Sequence, residues 1–140
     1  MSTYSLTSKK RLETCHPDLQ TLFFYVSLNY DNTIVCGHRG EQEQNEAYNS
    51  VPQRSQLKWP NSKHNSDPSL AVDAVPYEKN HLDWGKLQSS FFAGYVKATA
   101  DLLFRMSIIS HKIRCGIDWN GNMDIDDTKF WDACHFEIIE

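Results

Sequence analysis

The stretch Ser62-Lys-His-Asn-Ser-Asp-Pro-Ser-Leu-Ala-Val-Asp-Ala-Val-Pro-Tyr77 changes character in its middle. From Asn61 to Ser69 it is built of Asn, Ser, Asp and Pro, the residues of turns. Leu70 to Val75 is small and β-branched and reads as a strand. His64 stands just before that strand and Asp73 within it or just after it. A second stretch, Asp132-Ala-Cys-His-Phe-Glu-Ile-Ile139, ends the chain in the same way, with Phe136 to Ile139 as a strand and His135 at its start. If the two strands are neighbours, two imidazoles and a carboxylate distant in sequence can meet.

Working outward, Leu19, Leu22, Phe23 and Val26 recur at helical spacing in the segment Pro17 to Leu28, and proline is well tolerated in a first helical turn. Thr33 to Gly37 reads as a short buried strand, and Glu41 to Asn49 as a short, largely exposed helix followed by a loop through Pro60. Asp83 can cap a long helix in which Trp84, Leu87, Phe91, Ala98, Leu102 and Met106 form the core stripe, widened by Phe92, Val96 and Leu103. Ile113 to Ile117 is a further strand, separated from the last one by the loop Asp118 to Asp127. The order helix, strand, helix, strand, helix, strand, strand predicts an α+β fold, a small antiparallel or mixed sheet flanked by helices.

With 40% hydrophobic and 12% aromatic residues among 140, the chain carries too much apolar material to stay disordered. Its length suits one domain, residues 1–140. A formal net charge of -4 gives no pull toward phosphate backbones, so nucleic acid is not an expected partner. The N-terminal residues lack the apolar core of a signal peptide, and no stretch approaches the roughly eighteen apolar residues of a membrane span, so the cytosol is the expected place of synthesis. Cysteines 15, 36, 115 and 134 contain no C-x-x-C pair and read as free, mostly buried thiols. Cys134, beside His135, is the one to weigh as a metal ligand.

A catalytic zinc takes about three protein ligands from His, Asp, Glu and Cys and leaves another position for water. His64, Asp73 and His135 supply such a set. Six histidines and eighteen acids offer many triplets, though, and on spacing alone each residue has an ordinary reading as a surface histidine, a cap or a satisfied polar group. His16, His38, His81 and His111 are read in that ordinary way.

Motifs add what spacing lacks. Ser62-Lys-His64 with Ala71-Val-Asp73 resembles the S-x-H-(x)-A-x-D signature of the LAS (D-Ala-D-Ala) metallopeptidases, and Asp132-Ala-Cys-His135 resembles their D/E-x-x-H element. Gly37-His-Arg39 with Gln44, and Arg114-Cys-Gly-Ile-Asp-Trp119, are similar to two further segments of that family. The likeness runs from about Ile34 onward and is greatest to phage endolysins that act as L-alanyl-D-glutamate peptidases. His64 and Asp73 lie two residues farther apart than in the commonest family form, with Ser69 where that form has glycine. A surface loop absorbs such an insertion cheaply.

The resemblance implies a Hedgehog/DD-peptidase-like fold and Zn2+ held by His64, Asp73 and His135. It implies Asp132 as general base and acid, and Arg39 as the cation that stabilises an oxyanion or holds a substrate carboxylate. Ser62 and Trp131 are candidates for substrate contact, with Asp118 and Trp119 in support. It further implies peptidoglycan as substrate and release to the periplasm and cell wall after a holin opens the host membrane; with no separate wall-binding domain in the sequence, a monomer is expected. A D-Ala-D-Ala carboxypeptidase or dipeptidase, or a zinc-stabilised binding module without catalysis, are the competing readings. Asp124, Asp126 and Asp127 with Asn120 and Asn122 offer oxygen ligands for calcium, without the glycine and glutamate that an EF-hand loop places at its sixth and twelfth positions.

Overall fold

The computed structural model describes residues 4–78 and 80–140. The chain opens with a helix that periodicity does not reveal, α1 (Leu6–Glu13), because only Ser8 and Leu12 of it are buried. Ser5 begins it by accepting a hydrogen bond from the backbone N–H of Ser8. α2 (Pro17–Ser27) follows, with proline in the first turn and the His16 ring accepting from Asp18 N at 3.0 Å. Leu19, Leu22, Phe23 and Val26 are all fully buried.

The strands are β1 (Asn32–Cys36), β2 (Ala71–Glu78), β3 (His81–Leu82), β4 (Lys112–Gly116) and β5 (Asp132–Ile139). They form an antiparallel sheet in the order β1-β2-β5-β4, and the short β3 returns on β2 as a hairpin that the sequence does not announce. Alternation along each strand sorts the two faces. Ile34, Val72, Ala74, Ile113, Cys115, Phe136 and Ile138 face the helices and join one apolar core. Phe136 sits edge-on to Phe23 at 5.6 Å and to Phe92 at 6.1 Å between ring centroids. The intervening residues, among them Asp73, Arg114, His135 and Glu137, line a cleft on the opposite face.

α3 (Glu41–Asn49) and a single 3-10 turn, Lys63–Asn65, lie between β1 and β2. α4 (Lys86–Arg105) is the long core helix, and it differs from the sequence expectation in two ways. It starts after Gly85, because Asp83 spends its carboxylate on Gly85 N at 2.8 Å in the turn before the helix. The face it buries is Ser89, Phe92, Ala93, Val96, Ala100 and Leu103, while Trp84, Leu87, Phe91, Ala98, Leu102 and Met106 are exposed, Leu87 to 88%. Both faces carry apolar residues at helical spacing, so the period could not choose between them. The face with Ser89, Ala93 and Ala100 meets the sheet because small side chains let the helix come close.

Candidate active site

Strand register, which local sequence does not specify, assembles the site. Cys36 pairs with Asp73 and Asp73 with His135, so three neighbouring strands set these residues in one row on the cleft face. Two residues along, Ala71, Glu137 and Arg114 form the next row. His135 therefore lies in the middle of β5 rather than at the start of a strand, and Asp73 lies within β2, one of the two places expected for it.

His64 reaches the row from the 3-10 turn. Ser62 caps that turn, its hydroxyl accepting from His64 N at 3.2 Å while Asn65 returns a side-chain bond to Ser62 N at 3.0 Å. The Ser62 hydroxyl is thus engaged in shaping the loop that carries His64. Asn65 also donates to Gln44, a fully buried amide whose oxygen accepts from Arg39 Nη1 at 3.1 Å and whose nitrogen anchors Ser55 and Leu57. Arg39 is held in this way with Nη2 3.6 Å from Asp73 Oδ2.

Two imidazoles converge on a single carboxylate oxygen. Asp73 Oδ1 is 3.2 Å from His64 Nε2 and 3.2 Å from His135 Nδ1. Four ligands at about 2.0 Å around a tetrahedral zinc stand about 3.3 Å apart, so both separations suit ligands sharing one ion. The far nitrogen of each ring is also held. His64 Nδ1 is 2.8 Å from the Gly37 carbonyl, and His135 Nε2 is 2.8 Å from Glu137 Oε1. The donor set and its supports fit a divalent cation that takes nitrogen and oxygen ligands.

Electrostatics agree with the crowding. Burial opposes protonation of His64 and His135, but the charge of Asp73 and hydrogen bonds to it, joined for His135 by the bond to Glu137, outweigh burial, pushing His64 up to about 10 and His135 up to about 9. Burial alone would raise Asp73, yet the two imidazoles hold it far below the usual carboxylate range. Glu137 is lowered to about 2, burial again being outweighed by bonds from His135 and Arg114. Asp132 goes the other way, raised by burial and then by the negative charge of Asp73.

Cys36, not Cys134, is the thiol gathered with ligands: Cys36, His64 and Asp73 offer ligand atoms all within 4.8 Å of one another. Its Sγ lies 3.8 Å from His64 Nδ1, the ring edge already bonded to Gly37, and accepts from Arg39 Nη2 at 3.6 Å. It supports His64 and Arg39 from behind. The Cys134 thiol donates to Asp132 Oδ1 at 3.2 Å. Trp131 lines the cleft with Lys86 Nζ 4.4 Å above its ring, and Trp119 lies against His135 with ring centroids 5.4 Å apart. The cleft encloses about 940 Å³, at the large end for small-ligand sites, and suits an extended peptide.

Among the described residues, the other cluster of metal-binding type is His16, Asp18 and His111. Its atoms already serve the fold, His16 capping α2 and Asp18 accepting from Ser110 N at 2.9 Å and His111 Nδ1 at 2.7 Å. The Asp118 to Asp127 loop gathers no such trio of His, Cys, Asp or Glu ligands. Asp127 accepts from Asn120 and Asn122, and Asp118 Oδ2 from Met123 N at 3.0 Å, while the buried Asp118 Oδ1 has no hydrogen-bond partner among the described residues.

A family model described as phage L-alanyl-D-glutamate peptidase matches residues 1–139. The crystal structure of the Serratia marcescens L-Ala D-Glu endopeptidase ChiX superimposes with a TM-score of 0.71 at 18% identity, over 97% of this chain and 89% of that one, which speaks for the same α+β fold. No curated protein sequence matches. No helix among the described residues is long and apolar enough to cross a membrane.

Proposed function

The chain belongs to the phage L-alanyl-D-glutamate peptidase family, and from that premise we propose a zinc-dependent endolysin in which His64 Nε2, Asp73 and His135 Nδ1 hold the metal. The protein is a peptidase, and the peptide stem of bacterial peptidoglycan is the substrate its family implies. The observation that carries the metal assignment is the approach of both imidazoles to Asp73 Oδ1 at 3.2 Å.

Zinc bound there supplies a water whose pKa falls from 15.7 to about 7, and polarises the scissile carbonyl. The chain's own residues do the rest. Asp132, half-buried, facing the charge of Asp73 and therefore more basic than an ordinary carboxylate, takes the proton of the attacking water and hands it to the departing amine. Arg39, locked by Gln44 and Cys36, presents a fixed positive charge to the oxyanion or to a substrate carboxylate. Trp131 and the Ser55–Leu57 segment bound the cleft in which the peptide lies.

Residues 1–140 act as one catalytic domain and work as a monomer, and host lysis follows once a holin has opened the membrane to the cell wall. Digestion of purified peptidoglycan with mass spectrometry of the products, alongside metal analysis, tests the reading. The expected result is one equivalent of zinc, with new L-alanine C-termini and D-glutamate N-termini. Release of D-alanine instead identifies a carboxypeptidase, and intact peptidoglycan in both zinc-loaded and chelated samples identifies a binding module.

A further inference from the structure

Glu137, absent from every motif match, lines the same cleft in the row next to His135. We propose that Glu137 is a positioning residue that fixes the tautomer of His135, so that Nδ1 and not Nε2 is presented to the metal; this rests on the zinc assignment above. An ionised carboxylate only accepts hydrogen bonds. Its Oε1 lies 2.8 Å from His135 Nε2, so Nε2 carries the proton and the lone pair of the neutral ring falls on Nδ1. That atom is the one 3.2 Å from Asp73 Oδ1.

The carboxylate cannot turn away. Its second oxygen, Oε2, accepts from Arg114 Nε at 3.2 Å and Arg114 Nη2 at 2.6 Å, and Lys63 Nζ stands 3.6 Å from it. Glu137 is only 7% exposed, so water does not compete for these bonds. Lys63 directly precedes His64, and its ammonium also donates to the Ile138 carbonyl, so one carboxylate ties the His64 turn, β4 and the His135 ring together. The Gly37 carbonyl plays the same part for His64, at Nδ1. Acceptor-only partners on the outer nitrogens thus select the inner ones, and a carboxylate partner also strengthens the imidazole as a ligand.

An amide cannot replace this carboxylate. Arg114 and His135 both donate, and glutamine has one oxygen to meet them; turned toward Arg114, it offers its NH2 to His135 Nε2 and favours the tautomer with the proton on Nδ1. Glu137→Gln is therefore expected to weaken zinc binding about 10- to 100-fold by chelator competition. Adding Arg114→Met frees the amide oxygen for His135, and the double variant is expected to regain most of that affinity. A purely structural role for the Arg114–Glu137 pair predicts a double variant weaker than the single one.

The wild-type, zinc-loaded protein gives a reading independent of variant folding: nitrogen-15 spectra of the histidines are expected to show His135 metal-bound at Nδ1 and protonated at Nε2. Zinc on His135 Nε2, wild-type affinity in Glu137→Gln, or no recovery in a folded double variant overturns the proposal while leaving intact the choice of His64, Asp73 and His135 as the ligand residues. Failure of the wild-type protein to take up zinc, or undiminished zinc uptake by His135→Ala, overturns both.

Discussion

Asp132 pays for its position at the base of the cleft. Burial and the nearby charge of Asp73 raise its pKa, so its ionised form costs folding free energy at every pH above the unfolded value near 3.9. Asp132→Asn removes that charge at similar size. It is expected to retain zinc, to melt at or above the wild-type temperature at pH 7, and to lose roughly 10²–10⁴-fold in turnover, which kinetics on stem peptides and thermal melts together measure. Arg39→Lys is the complementary case. Lysine cannot span Gln44 Oε1, Cys36 Sγ and Asp73 Oδ2, as the guanidinium does. A loss of about 10²-fold in kcat/KM is expected, at near-wild-type zinc affinity by chelator competition.

At the scale of elements, α4 and the β4–β5 pairing make separate demands. Phe92 is fully buried against Phe136 while its neighbour Phe91 is 66% exposed. Phe92→Ala is expected to cost about 3–5 kcal/mol in denaturant unfolding, and Phe91→Ala no more than about 0.5 kcal/mol; the reverse order would place the core on the other face of the helix. Gly116 sits at the irregularity where β4 meets Asp132, and a Cβ there would come within 2.1 Å of the Asp132 carbonyl oxygen. Gly116→Ala must push the start of β5 aside, at a cost of about 1–3 kcal/mol, with a loss of activity beyond that of an equally destabilised core variant because the strand that moves bears Asp132.

For the whole molecule, the proposed metal and the proton would compete for the same atoms. In chelator-treated protein, His64 and His135 have pKa values raised from 6.5 to about 10 and about 9. Their contribution to stability is complete below 6.5 and disappears as pH rises through 9 to 10. Asp73 is lowered, so its contribution is present above the unfolded carboxylate value and lost only in acid. The melting temperature of the chelated protein is expected to fall between pH 6 and pH 10, a flat profile being the contrary result. Zinc at the proposed site is expected to restore stability with the logarithm of its affinity, an affinity that rises with pH as the two protons are displaced.

The α2 stripe, the turn-then-strand break at Ser69–Leu70 and the Ser62/His64/Asp73 and Asp132/His135 motifs were legible in the sequence because each is local: a side-chain type, a period or a short spacing. By itself the sequence determined the α+β class and singled out the residues proposed to carry the chemistry. Tertiary structure alone decided which face of α4 is core, because two apolar stripes satisfied the same period and close packing on the sheet selected the one with small residues. It also decided that Cys36 rather than Cys134 stands with His64 and Asp73, and that Glu137 backs His135, because antiparallel register, a property of strand pairs, brings those residues into rows.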